Sequence, residues 1–153
     1  MEVSGMVIRV AGAALILVVI VWLFVWLMKR RLKPPVTLEE MEGHEFEYFC
    51  ARLLEQRGFE EVEVTKGSGD YGIDILAEKE GVTYAIQCKR YTAPVGVKAI
   101  QEAYAGRDYY DRMVGAVMTN QYFTTPAVEA ARKLKILLWD GGYLEEMLEE
   151  EER

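Results

Sequence analysis

Asp74, Gln87 and Lys89 are the residues of this 153-residue chain whose types and spacing could do chemistry together. They sit on two apolar stretches, residues 73–78 and 82–89, joined by Glu80-Gly81, a pair suited to a two-residue hairpin turn. A turn of that length pairs Lys79 with Val82 and therefore sets Asp74 opposite Gln87, and directly opposed residues project from one face. Lys89, two residues further on, shares that face. Its own partner is Gly72, which has no side chain to crowd it. Ile73, Ile75, Ile86 and Cys88 then point the other way, into a core. A three-residue turn would shift the pairing by one. The set amounts to a carboxylate, an amide oxygen and an ammonium. Such a set can hold Mg²⁺, which takes oxygen ligands and keeps several waters. A bound divalent ion polarises a phosphate and makes water a better nucleophile, while a lysine orients that water or stabilises developing charge. The same three residue types are also ordinary on a solvated hairpin, so spacing alone leaves both readings standing.

The elements around the hairpin define its setting. Thr37-Leu-Glu-Glu40 reads as a capping box opening a helix over 38–57, stronger from 43, with Phe46, Phe49, Cys50, Leu53 and Leu54 at helical spacing and a stop at Arg57-Gly58. Residues 59–65 alternate as a strand, and 67–72 form a glycine-rich loop. That loop leads into a strand and lacks the Gly-Lys-Ser/Thr of a nucleotide cradle. A helix over 95–110 turns Val97, Ile100, Ala103 and Tyr104 inward. A strand over 113–119, a helix from Pro126 to Leu134, a strand over 136–139 and a helix over 143–152 complete the order. The class is α/β, with a mixed central sheet flanked by helices: a meander of three strands, then strands that need crossovers and lie parallel.

The N-terminus is of another kind. Val10 to Met28 is a run of 19 residues without a charge, long enough as a helix to span about 28 Å of a roughly 30 Å hydrocarbon core. Trp22 and Trp26 lie toward its end, and Lys29-Arg30-Arg31 and Lys33 follow at once. The positive flank predicts a single-pass anchor with a short N-terminus outside and the rest of the chain in the cytoplasm. A cleaved signal peptide would carry its charge on the other side and end in a small-residue site. Pro34-Pro35 ends the helix. The expected organisation is an anchor over 1–33, a linker and helix start over 34–41, one domain over 42–148 and an acidic tail over 149–153.

Charge divides the chain the same way. The formal total is −7; residues 1–33 hold five basic residues and one glutamate, a net +4, which leaves −11 on the remainder. An acidic domain is not the composition of a general nucleic-acid binder. Charges act over about 8 Å at physiological salt, however, so Lys66, Lys89, Arg90, Lys98 and Arg107 could form a local basic rim. Cys50 and Cys88 are the two cysteines and His44 the one histidine. With no Cys/His cluster, a structural zinc site is excluded, and the thiols read as buried and reduced. His44 reads as a surface or capping residue.

Gly67-Ser-Gly-Asp70-x-Gly-Ile-Asp74, followed by Gln87-Cys-Lys89, resembles the PD-(D/E)xK nuclease superfamily, and most closely the Mrr-type restriction endonuclease catalytic domain, in which glutamine commonly replaces the acidic residue before x-Lys. The resemblance extends over residues 42–148. It takes in the helix Phe46-Glu47-Tyr-Phe-Cys-Ala-Arg-Leu-Leu54 and the stretch Met118-Thr-Asn-Gln-Tyr-Phe-Thr-Thr-Pro-Ala127. It implies Asp74 as the main metal ligand, Gln87 near the metal, Lys89 as the catalytic lysine, the backbone carbonyl of Cys88 as a further ligand and Glu47 as an assisting acid. Asp70 belongs to the loop motif and shapes the loop. The implied cofactor is Mg²⁺ or another divalent cation such as Mn²⁺, and the implied partner is DNA, contacted by Lys66, Arg90 and Lys98. One such centre cuts one strand at a time, so double-strand cutting would favour a homodimer. Two other readings compete with a membrane-anchored endonuclease. A DNA-binding module with a degenerate site would bind without cutting, and a membrane scaffold would crosslink to proteins and not to DNA.

Overall fold

The computed structural model of the chain describes residues 18–23, 38, 40–66 and 71–149. The chain divides into two units, residues 1–36 and 37–153. In the first, residues 18–23 are helical and exposed, and the remainder of the apolar run lies outside the described residues. Among the described residues, no helix is long and apolar enough to cross a membrane.

The second unit runs α1 (Gly43–Gln56), β1 (Glu60–Val64), β2 (Ile75–Lys79), β3 (Val82–Lys89), α2 (Val97–Tyr109), β4 (Val114–Thr119), α3 (Thr125–Leu134), β5 (Ile136–Trp139) and α4 (Gly141–Glu149). The five strands form one sheet in sequence order. The pairs β1·β2 and β2·β3 are antiparallel, while β3·β4 and β4·β5 are parallel. This is the expected mixed sheet. Glu80 and Gly81 both take positive φ, 53° and 77°, the signature of a two-residue hairpin turn whose twist suits the strands. The turn pairs Lys79 with Val82 and carries the ladder in register to Ile75 and Ile86.

Strand alternation then assigns two faces. Ile75, Ala77, Ile86, Cys88, Ala116 and Met118 pack with Phe46, Cys50, Leu53 and Leu54 of α1 and with Leu144 and Met147 of α4. On the other side, Val117 and Ile136 pack with Ala99, Ile100 and Ala103 of α2 and with Ala127 and Ala131 of α3. Helices thus cover both faces of the sheet. Cys50 and Cys88 are free and buried, as expected.

Three expectations need correction. Residues 40–42 are not helical, and α1 starts at Gly43; its entry is capped by the Glu42 N–H donating to Glu45 Oε2 at 3.0 Å, one half of a capping box set further along than the expected one. Thr37 lies outside the described residues. The buried face of α2 is Ala99, Ile100, Ala103 and Gly106, whereas Tyr104 is exposed and Val97 only half-buried. Side-chain size favoured the large residues, but a helix lying this close to a sheet needs small ones. Ile73 also leaves the expected side: it lies against Gly106 of α2, while Ile75 belongs to the α1 face. Residues two apart in a strand share a face, so the strand pattern breaks at Asp74.

Gly106 is where that close approach is tightest. A Cβ there would run into Ile73 Cγ1 and stand 2.7 Å from Ile73 Cδ1 and 3.1 Å from the Tyr71 carbonyl oxygen. Gly106→Ala is therefore expected to destabilise the domain by about 1–3 kcal/mol, as overpacking does. A urea unfolding midpoint equal to that of the native chain would contradict this packing.

Candidate active site

Asp74 sits where the hairpin ladder opens. Its N–H donates to the Ile86 carbonyl at 2.9 Å, and its own carbonyl accepts from the Thr65 N–H at 2.9 Å. The Thr65 hydroxyl adds a bond to the Ile73 carbonyl at 2.6 Å. So held, Asp74 does not continue the flat pairing that would set it opposite Gln87. Its Oδ2 accepts from the Cys88 N–H at 2.6 Å. The N–H and C=O of one strand residue leave on the same edge, so the Cys88 carbonyl also faces the edge that Asp74 occupies.

Glu47 and His44 approach from α1. His44 Nδ1 and Glu47 Oε2 are 2.8 Å apart, with the His44 side chain 79% exposed and that of Glu47 16%. The hydrogen bond to Glu47, then the charges of Glu47 and Asp74, raise the His44 pKa against a small opposing effect of burial. Burial, a hydrogen bond with Cys50 and the charges of Asp74 and Glu47 all push the Cys88 thiol upward. The two carboxylates therefore act on the same point of β3. His44 is a surface residue, as expected, and it also pairs with Glu47.

Gln87 and Lys89 turn to the α2 side. Gln87 is 1% exposed, and its Nε2 donates to Glu102 Oε2 at 2.7 Å. Lys89 Nζ lies 3.0 Å from the same oxygen, and Lys98 Nζ lies 3.7 Å from Glu102 Oε1. Burial is the largest single influence on Glu102 and pushes its pKa up. The bonds from Gln87 and Lys89 and the charges of Lys89 and Lys98 together outweigh it, and the net shift is downward. Gly72 takes φ +77°, and a Cβ there would stand 3.1 Å from Gln87 Nε2 and 3.3 Å from Glu102 Cβ. Glycine is needed here for its backbone angle and for the room it leaves.

The structure thus sets the Asp74 carboxylate against the Cys88 N–H at one edge of β3, keeps Glu47 beside His44 on α1, and gathers Gln87, Lys89 and Glu102 on the α2 side of the last three residues of β3. Glu102 is the member that sequence reasoning missed. Its signal lay in Ala99, Ala103 and Gly106, whose spacing of three and four marks the buried stripe of α2 and sets Glu102 beside it. Of the expected basic rim, Lys66 and Lys98 are exposed and Arg90 is half-buried. Arg107 is engaged elsewhere, with Asp108 at 2.8 Å, the Leu134 carbonyl and the Tyr104 ring. Asp70 lies outside the described residues. A cleft of about 650 Å³ lined by Phe59, Tyr84, Trp139 and Tyr143 opens at the hairpin-turn end of β2 and β3 and contains none of these site residues.

Gln87 offers an oxygen that a hard divalent cation could take. Gln87 Oε1 is buried and finds no hydrogen-bond partner among the described residues, an uncommon state for an amide oxygen and one that an oxygen-seeking ion would relieve. No cluster of three or more His, Cys, Asp or Glu side chains suited to a metal occurs among the described residues. Mg²⁺ does not require one, since it binds through one or two carboxylates and retains water.

Residues 38–148 match the Mrr catalytic-domain family of restriction endonucleases. The chain belongs to that family. Among solved structures, this restriction endonuclease domain is similar to AF1548, a protein of unknown function, with a TM-score of 0.59 and 29% identity over 69% of this chain and 64% of that one. It is also similar to the DNA modification-dependent restriction endonuclease AspBHI, with a TM-score of 0.56 and 17% identity over 81% of this chain and 33% of that one. A repair endonuclease from Pyrococcus abyssi shares the fold, with a TM-score of 0.52 and 14% identity over 65% of this chain and 47% of that one. The chain therefore spans less than two thirds of each of these structures. No curated protein matches it in sequence.

Within this restriction endonuclease domain, the charge on Glu102 has a consequence for stability. A carboxylate whose pKa is lowered in the folded state stabilises that state above its unfolded value, and the contribution is lost as pH falls through the folded value. The urea midpoint of the native chain should therefore exceed that of Glu102→Gln at neutral pH, and the gap should close on acidification below the usual glutamate range. A gap that persists undiminished well below that range would count against the assignment.

Proposed function

We propose that the chain is a membrane-anchored DNA endonuclease that hydrolyses phosphodiester bonds with the help of Mg²⁺ or Mn²⁺, in restriction-type defence or DNA processing. The observation that carries this reading is the buried Gln87 Oε1, without a partner among the described residues, within two residues of Lys89, in a domain of restriction endonuclease family. In this reading Asp74, Gln87 Oε1 and the Cys88 carbonyl hold the ion, which supplies charge to polarise the scissile phosphate. Asp74 stays oriented through its bond to the Cys88 N–H. Glu47 adds negative charge from α1, needed because Gln87 contributes a neutral oxygen. Lys89, kept in place by Glu102, presents its ammonium to the phosphoryl oxygen or to the attacking water. Lys66, Arg90 and Lys98 guide the DNA backbone. DNA is the substrate suggested by AspBHI and by MspJI, whose structure holds a 27-mer oligonucleotide. Dependence on modified bases is not carried over, because this chain covers only a third or less of those proteins. Cutting both strands would call for a homodimer.

The full chain, incubated with plasmid DNA, should cut in Mg²⁺ or Mn²⁺ and not in EDTA. Asp74→Ala and Lys89→Ala should each slow cleavage by at least about a hundredfold, the scale on which a charge-stabilising group acts. Cleavage that persists at the native rate in Lys89→Ala would overturn the assigned site.

The anchor rests on the 19 uncharged residues from Val10 to Met28 and on the basic flank behind them. In carbonate extraction of cell membranes, the full chain is expected in the pellet, with its nuclease domain open to protease only from the cytoplasmic side. Recovery in the soluble fraction would remove the anchor from this reading.

A further inference from the structure

Glu102 lies outside the family motif on which the site was read, yet it touches two of that site's residues through a single oxygen. Gln87 Nε2 donates to its Oε2 at 2.7 Å, and Lys89 Nζ lies 3.0 Å from the same atom. An amide has one donating end and one accepting end, whereas a carboxylate only accepts. With Glu102 in place, the NH₂ of Gln87 must face α2 and the carbonyl oxygen must face away from it. That oxygen is the buried Oε1 with no partner among the described residues. Gly72 leaves the room in which the pair meets, since a Cβ there would press on Gln87 Nε2 and on Glu102 Cβ.

The same geometry says why residue 87 is an amide. A carboxylate at 87 would bring one of its oxygens to within hydrogen-bond distance of Glu102 Oε2, and two carboxylates that close cannot both stay ionised. Lys89 offers one ammonium between them, already engaged with Glu102. The acidic group absent from position 87 is in effect held on α2, one hydrogen bond away from Gln87.

We propose that Glu102 is a positioning residue that dictates an amide at position 87 and turns the carbonyl oxygen of Gln87 away from α2, toward the proposed metal, while anchoring Lys89. This rests on the proposed metal-dependent reading of the site. It also makes the pair exchangeable. A carboxylate at 87 is acceptable once position 102 carries an amide, because the new NH₂ then donates to the new carboxylate.

The test compares four forms of the full chain in detergent: native, Glu102→Gln, Gln87→Glu and the double variant Gln87→Glu/Glu102→Gln. Urea midpoints are read without metal or DNA, and Mn²⁺ affinity is read by calorimetry without DNA. Gln87→Glu should lower the midpoint, and the double variant should regain most of the loss. Glu102→Gln should keep the fold but weaken Mn²⁺ binding about 10- to 100-fold, the range seen when a residue that orients a metal ligand is removed. The double variant should bind Mn²⁺ at least as tightly as the native chain. A purely structural role for Glu102 would move the midpoints without that recovery of affinity. Should Gln87→Glu fail to fold, the double variant, which keeps one amide–carboxylate pair, carries the comparison. Unchanged Mn²⁺ affinity in Glu102→Gln, or a double variant that binds more weakly than Glu102→Gln, overturns the positioning role alone. A native chain that binds no Mn²⁺ overturns this role and the proposed function together.

Discussion

Glu80 and Gly81 reverse the chain in two residues at positive φ, and that turn decides which side of the sheet each residue of β2 and β3 faces. A register slip of one residue would exchange the two faces. In the observed register, Tyr84, Ile86 and Cys88 go to the α1 side and join the larger core. Gln87 and Lys89 go to the α2 side, where Glu102 waits. The parallel partner β4 holds β3 along its other edge from Tyr84 to Lys89, so the last three residues of β3 stay extended while β2 falls away. Asp74 occupies the gap that results.

The close approach of α2 is the second condition. Ala99, Ala103 and Gly106 let the helix lie against β3, β4 and Ile73, and only at that distance does a glutamate side chain reach Gln87. Dispersion and burial of these small residues set the distance, and the polar pair then has to be satisfied within it. Gln87, Glu102 and Lys89 satisfy one another almost fully. The exception is Gln87 Oε1. A buried amide oxygen without a partner among the described residues is uncommon and calls for a physical account.

What was legible in the sequence was local. The Glu80-Gly81 turn, the alternation of β2 and β3 and the short crossovers are each encoded within a few residues, and they were enough for the register, the mixed sheet and the order of elements. Asp74, Gln87 and Lys89 could be singled out by type and spacing, but a solvated hairpin fitted the spacing as well, and their roles came from the resemblance to the nuclease motif. Their arrangement was not legible. The ladder opens at Asp74 because Thr65 binds its backbone from β1 and Ile73 is drawn toward Gly106, contacts separated by nine and 33 residues along the chain. The inward face of α2 was misjudged for a related reason: Val97 and Tyr104 carry larger side chains than alanine and glycine, yet what decides is how near the sheet lies. Glu102 stayed hidden because a glutamate four residues after Lys98 reads as a surface ion pair.

The charges around β3 bear on how an acidic domain could act on a polyanion. Glu102 is matched by Lys89 and, more distantly, by Lys98, so the α2 side of the site adds little net charge. Among the described residues, Asp74 and Glu47 bring negative charge to the α1 side of β3, with His44 beside Glu47 able to offset part of it when protonated. Two carboxylates can be neutralised by one divalent cation, whereas a third at position 87 would leave the site repelling phosphate. In the proposed reading, an amide there lets the site take a divalent ion without adding a further negative charge to those of Asp74 and Glu47. A neutral oxygen at position 87 would grip a cation less tightly than a carboxylate, and in the proposed reading that loss is offset by a weaker repulsion of phosphate.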